Sequence, residues 1–191
     1  MDNKNQGEYR GVMYESEAEL WFLMWAFELY NRGIIKGIRR APTYSLTEGL
    51  DNEFVIVNSK GKEVTKRQII LRPSVYTPEF EIFWGIHEYK RFVWLEGENK
   101  KIEVPFIGEG TTEGIRTLIE CKSDFDFANM TRLFKNNQKF LWDKHRVFVN
   151  LVKIKEFFKK TYCPAEFLKT RTGKDRKLDF EPKTLEQFLN D

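Results

Sequence analysis

Two stretches that read as β-strands, "YTPEFEIFW" (76–84) and "TLIECKSDF" (117–125), place carboxylates inside otherwise apolar runs. The first holds Glu79 and Glu81, and the second holds Glu120 with Lys122 two residues on. Side chains two apart on a strand share a face. Glu79 and Glu81 therefore oppose Phe80 and Ile82, and Glu120 and Lys122 oppose Ile119 and Cys121. An unpartnered carboxylate on a buried face is costly, or it protonates. Two acids from neighbouring strands are tolerable when a cation lies between them, and such oxygen ligands suit a hard ion, Mg²⁺ or Mn²⁺. A lysine on the same face points its ammonium toward the open side of that ion. This combination fits phosphodiester hydrolysis: a bound metal lowers the pKa of its water and offsets charge building on the phosphate. The lysine orients the water or stabilises the transition state. The plainer alternative is a Glu120–Lys122 ion pair on an exposed strand, with Glu81 a supporting or surface group.

Around these strands the hydrophobic pattern sets out the elements that must hold them. Ser16 opens a helix to about Asn31, whose body "LWFLMWAFELY" is apolar on nearly every side and so belongs in the core. Gly33 is the predicted C-cap. "IRRAPTYSL" is an extended segment broken at Pro42, and "EFVIVNSKGKEV" carries hairpin chemistry at "NSKGK". Residues 85–114 read as an excursion, with "RFVWLEG" and "KIEVPFIGEG" predicting one inserted β-hairpin. A helix is expected from about Phe125 to Lys144, begun near Asp124 or Asp126, then a Val-rich strand in "HRVFVNLVKI". A short helix at "KEFFKK", a basic loop at "KTRTGKDRK" and a last helix at "PKTLEQFLN" complete the chain. The order predicts an α/β fold with a mixed central sheet flanked by helices. It forms one domain over 1–191: a core at about 14–152, the insertion at 85–114 and a basic C-terminal extension at about 153–191.

Composition narrows the partners. The chain has 191 residues, a net charge of +3 and 17 Phe and 5 Trp, which together indicate a globular protein with a sizeable core. From Arg132 to Lys177, 14 Lys and Arg stand against 4 Asp and Glu. A basic region this dense attracts a polyanion, most commonly nucleic acid. Its sharpest cluster is Arg171, Lys174, Arg176 and Lys177, suited to backbone contacts that read no sequence. Lys139, beside Gln138 on the second long helix, is a further phosphate-contact candidate. No apolar run suits a membrane span, and the polar N-terminus lacks an apolar signal core, so a cytoplasmic protein without a membrane partner is expected. Cys121 and Cys163 form no disulfide framework or zinc pattern and read as structural. His87 and His145 lack zinc-site spacing. Trp21, Trp25 and Trp142 read as core; Trp84 and Trp94 are the aromatics that could stack on a base.

Tyr76-Thr77-Pro78-Glu79-Phe80 followed by Glu120-Cys121-Lys122 resembles the signature of the PD-(D/E)XK nuclease superfamily, and within it the phage endonuclease I type of Holliday-junction resolvase. Those proteins carry Ser-x-x-Glu at the first helix, Gly-Ile after it, Tyr-Thr-Pro-Asp-Phe on one strand and Glu-x-Lys on the next. Ser16 to Glu19, Gly33-Ile34, Tyr76 to Phe80 and Glu120 to Lys122 follow in that order, over about residues 14–150. The chain departs in having Glu79 where Asp is commoner, and in a long interval before Glu120. The resemblance implies a restriction-endonuclease-like αβββαβ core and Mg²⁺-dependent endonuclease cleavage of DNA, with Mn²⁺ a substitute, leaving 5′-phosphate and 3′-hydroxyl ends. It implies Glu79 and Glu120 as metal ligands, Lys122 at the nucleophile and Glu19 reaching the same site. Branched DNA would be the substrate and a homodimer the active form, since a resolvase cuts two strands symmetrically. Glu19 keeps a second reading, because Ser16-x-x-Glu19 is also a capping box. Two other functions stay open: an end-processing, flap or repair nuclease on linear or single-stranded DNA, and a catalytically inactive DNA- or partner-binding module.

Overall fold

The computed structural model describes residues 6–85, 89–98, 105–122, 128–170 and 172–191. The first pair of strands, β1 (Gly7–Tyr9) and β2 (Val12–Tyr14), turns through Arg10 and Gly11 with positive φ at both. Helix α1 (Glu17–Asn31) follows. Its end is fixed by Gly33 at φ 74°, which lets the Gly33 amide reach the Tyr30 carbonyl and the Ile34 amide reach that of Leu29. Phe22, Leu23, Trp25, Ala26 and Leu29 are fully buried, as a helix apolar all round requires.

Seven strands come next in the described residues: β3 (Ile35–Arg40), β4 (Tyr44–Thr47), β5 (Leu50–Val57), β6 (Glu63–Leu71), β7 (Ser74–Tyr76), β8 (Phe80–Trp84) and β9 (Val93–Leu95). The chain continues with β10 (Phe106–Thr111), β11 (Gly114–Lys122), α2 (Ala128–His145), β12 (Val149–Lys153), α3 (Ile154–Lys160) and α4 (Leu185–Asn190). The central sheet has the order β3-β8-β11-β10-β9, with β12 beside β11. Strands β3, β8 and β11 are antiparallel neighbours, and β12 returns parallel to β11 after α2. The fold is α/β with a mixed sheet. One face is covered by α1 and α3, and α2 lies over the other, where Phe134 and Leu141 pack with Leu118 and Val149.

Three expectations about these elements are corrected. The stretch 76–84 is not one strand: Pro78 supplies no amide donor, the ladder breaks, and β7 pairs with β4 in a separate two-stranded sheet. The excursion at 85–114 is not a hairpin in its described residues, because β9 and β10 pair in parallel and β10 extends the central sheet beside β11. The hairpin inserted in the fold is β5–β6, a long arm that forms a sheet of its own. Finally, the C-terminal region is no loose appendage. Phe158, Tyr162 and Phe167 are buried in the main core, and the Tyr162 hydroxyl donates to the Trp25 carbonyl at 2.6 Å. Tyr9 reaches Glu166 at 2.8 Å, tying the two ends of the chain together.

Candidate active site

Pairing of Phe80 with Ile119 fixes the register of β8 on β11, and the Glu79 amide extends that ladder by donating to the Ile119 carbonyl at 2.9 Å. Glu79 consequently lies beside Glu120. Its carboxylate accepts a hydrogen bond from the Cys121 amide. Across β11, alternation sends Ile119 and Cys121 into the core and leaves Glu120 and Lys122 on the other face. Lys122 Nζ is 2.6 Å from Glu120 Oε1, and the Tyr76 hydroxyl donates to Glu120 Oε2 at 2.9 Å. Strand β7, split off by Pro78, is thus what brings Tyr76 over the site.

Glu19 comes in from the first turn of α1 and is 4% exposed. Its amide donates to the Ser16 side chain at 3.2 Å, and the Ser16 hydroxyl reaches its Oε1 at 3.0 Å. Its Oε2 accepts from the Glu15 amide at 3.1 Å and from Arg40 at 2.7 Å. Only half of the expected capping box forms: Ser16 caps the Glu19 amide, but the Glu19 carboxylate takes the Glu15 amide and the Ser16 hydroxyl, not the Ser16 amide. The same side chain lines the cleft that Glu79 also lines.

That cleft has a volume of about 660 Å³ and is lined by Glu19, Glu79, Cys121 and Lys122 together with Lys155, Arg176 and Lys177; Glu120 stands next to Lys122 and is not itself among the lining residues. The basic C-terminal loop thus folds back over the acids. Arg176 is held there by its Nε bond to the Phe167 carbonyl at 2.9 Å and by stacking on Phe167 and Trp21, 4.5 and 5.0 Å from the ring centres.

The electrostatics single out Glu79. Burial, then the charges of Glu120 and Glu19, push its carboxyl up to about 8; the Cys121 amide and Lys122 only partly oppose this. The Tyr76 hydroxyl is raised for the same reasons, burial first and Glu120 second. The Cys121 thiol is raised well above its ordinary value by burial and the neighbouring Glu79, consistent with a core residue and not a nucleophile. As the side chains stand, no three His, Cys, Asp or Glu among the described residues form a ready metal-holding group.

Other candidates fall elsewhere. Lys139 is exposed and lines a different, larger cleft of about 930 Å³ with Trp94, Trp142 and Arg146, so it does not join the acids. Gln138 is structural, bridging the Val147 carbonyl at 3.1 Å and the Val149 amide at 2.7 Å. Lys174 is exposed on the basic loop; Arg171, His87, Asp124 and Asp126 lie outside the described residues. Trp84 is 1% exposed and donates to Thr117 at 2.9 Å, which removes it as a base-stacking residue. Trp142, expected in the core, is instead 41% exposed. His145 ends α2 and bonds the Ser45 carbonyl at 2.8 Å. Sequence reasoning missed Tyr76 and Arg40 as partners of the acids, and Lys155 at the rim. Tyr76 could have been read from its place in the Tyr-Thr-Pro motif; nothing local marked the other two. Comparison with family models, with curated proteins and with solved structures found no match to this chain.

Proposed function

We propose that the chain is a Mg²⁺-dependent deoxyribonuclease of the PD-(D/E)XK type, with a restriction-endonuclease-like core built from α1, β3, β8, β11, α2 and β12. The observation that carries this reading is the meeting of Glu79 and Glu120 on adjacent strands, with Glu19 and Lys122 lining the same cleft under a basic rim. The donor set is carboxylate oxygen alone, which suits Mg²⁺ or Mn²⁺ and not a softer ion. Glu79 lies among like charges with no arginine ion pair among the described residues, and this is the deficit a divalent cation would fill. Glu79 and Glu120 would hold the ion, with Glu19 within the same cluster; when bound, it supplies an activated water and charge for the phosphate.

The chain's own residues do the rest. Lys122 leaves its pairing with Glu120 to stabilise charge at the phosphate, Tyr76 fixes the Glu120 carboxylate, and Arg176, Lys177 and Lys174 hold the DNA backbone. Branched DNA is the substrate this reading favours, cut by a dimer. The test is cleavage of four-way junction, flap, duplex and single-stranded DNA in Mg²⁺, Mn²⁺ or chelator. Glu120→Gln and Lys122→Ala should each abolish cutting; full activity in either variant overturns the assignment. A second reading, a non-catalytic DNA-binding module, draws on the protein partners that Glu19, Glu79 and Glu120 already have. It predicts no Mn²⁺-dependent rise in Tm, whereas the nuclease reading requires one.

A further inference from the structure

The face of the sheet beneath α2 is only partly covered. Phe134 and Leu141 pack over Leu118 and Val149, and no residue of β9 or β10 joins that cluster. Farther out, β10 and β12 take successive stretches of the same edge of β11, so the sheet forks. Asn150 braces the fork. Its side chain accepts from the Ile107 amide at 2.8 Å and donates to the Ile107 and Leu118 carbonyls at 2.8 and 3.1 Å. Val93 and Phe106 point into the main core, so by alternation their neighbours Trp94 and Ile107, paired in the ladder, face the other way. With Trp142 of α2 they line the cleft of about 930 Å³. A mostly apolar cleft with a few polar groups, held on a braced scaffold, has the form of a ligand site.

Helix α2 supplies the charge that selects the occupant. Arg132, Lys135 and Lys139 recur three and four residues apart on one exposed stripe, which runs on through Trp142 to Arg146 just past the helix end. Asp143 is the only acid between Ala128 and Arg146 in the sequence. Arg146 holds φ 55°, where glycine would close the helix more easily, and its guanidinium lies 5.9 Å from the Trp142 ring centre. Trp142 nevertheless stays 41% exposed. Within the cleft the charges balance: Arg116 is held by Glu81 and Glu109, while Glu96 and Asp143 stand against Lys139 and Arg146. A balanced aromatic cleft suits a neutral ring with polar edges, and the stripe beside it suits a run of phosphates. We propose that the cleft takes one unpaired base of a single DNA strand, stacked on Trp142, with Arg132, Lys135 and Lys139 on the flanking phosphates. A paired base lies inside its own stack and cannot reach that ring, so the occupant is single-stranded. The site rests on DNA as the partner in the proposed function, but it uses neither the acids nor a metal.

Fluorescence anisotropy of the full chain in chelator tests it, with a labelled oligothymidine strand set against an abasic strand of equal length. The parent should bind oligothymidine roughly tenfold more tightly, the scale of one base stacked on an aromatic ring. Trp142→Ala, and Trp142→Leu, which keeps apolar bulk at that place, should each lose this preference while holding the abasic strand as the parent does. Lys135→Ala/Lys139→Ala should weaken both strands alike and reduce the salt slope by roughly 0.7 for each lysine removed. A parent that does not distinguish the two strands overturns the proposal, as does a folded Trp142 variant that keeps the preference. A parent that holds poly-glutamate as tightly as oligothymidine marks the stripe as a site for an acidic peptide and equally overturns it. Cleavage plays no part without metal. A chain that never cuts DNA in Mg²⁺ yet shows the Trp142-dependent preference loses the nuclease reading and keeps this site.

Discussion

Glu79 and Glu81 sit two residues apart at the start of one strand, and their surroundings are opposite. Glu81 is fully buried and held by Arg39 at 2.5 Å and Arg116 at 2.9 Å, with Glu109 in turn bracing Arg116. Glu79 has no arginine ion pair among the described residues; its neighbours there are a backbone amide, two further carboxylates and Lys122. One acid is neutralised by the protein and belongs to its architecture. The other lines a cleft and lies among two further carboxylates. A perturbed carboxyl next to others of its kind is a stronger pointer to chemistry than burial alone.

The contrast can be broken most severely at the proposed catalytic end. Glu120→Gln or Lys122→Ala should lower Mg²⁺-dependent cleavage by roughly 10³-fold, the scale of losing a charged group that acts only at the transition state. Gel assays at saturating metal measure this. At the architectural end, Glu81→Ala strands two guanidinium groups, one only 22% exposed, and should cost about 3 kcal/mol in denaturant unfolding.

The third prediction concerns pH. Glu79 titrates at about 8 in the fold against 4.5 ordinarily, so the folded state binds the extra proton between those values. Its contribution is complete below pH 4.5 and is lost as pH rises toward 8, so metal-free stability should decline by roughly 2 kcal/mol or more across that window. Glu79→Gln should flatten the decline, and Mg²⁺ should offset it in the parent only, both read from Tm against pH. The smallest effect belongs to the helix start: Ser16→Ala removes a cap and a tether on Glu19 and should cost about 1 kcal/mol.

The site residues were legible because they violate a local pattern. Acids on an alternating apolar strand demand a partner, so Glu79, Glu120 and Lys122 stand out from a window of a few residues. What neutralises Glu81 was illegible, since Arg39 and Arg116 lie 42 and 35 positions away and only the sheet register unites them. Helix α1 and its glycine stop were readable for the same local reason: continuous apolarity and one residue free to take positive φ. The parallel pairing of β9 with β10 was not, because two alternating segments joined by polar residues look like a hairpin whichever direction they run. Trp142 failed differently. Its bulk argues for burial, yet helix α2 turns it outward, where Arg146 lies 5.9 Å from its ring centre. The C-terminal extension reads as basic and outside a core ending near 152, but its buried aromatics Phe158, Tyr162 and Phe167 join that core, and its charged loop lines the cleft.

Cys121 gives its backbone amide to Glu79 and also lies with its side chain against that carboxyl in the wall of the cleft, 3% exposed. Cys163 is likewise buried, its thiol pushed up to about 12. A maleimide or disulfide reagent meets Cys121 only when the wall of that cleft moves aside. The rate of its modification therefore clocks opening of the cleft wall, and slowing of that clock by a divalent ion would register occupancy of the proposed site without any DNA in the tube.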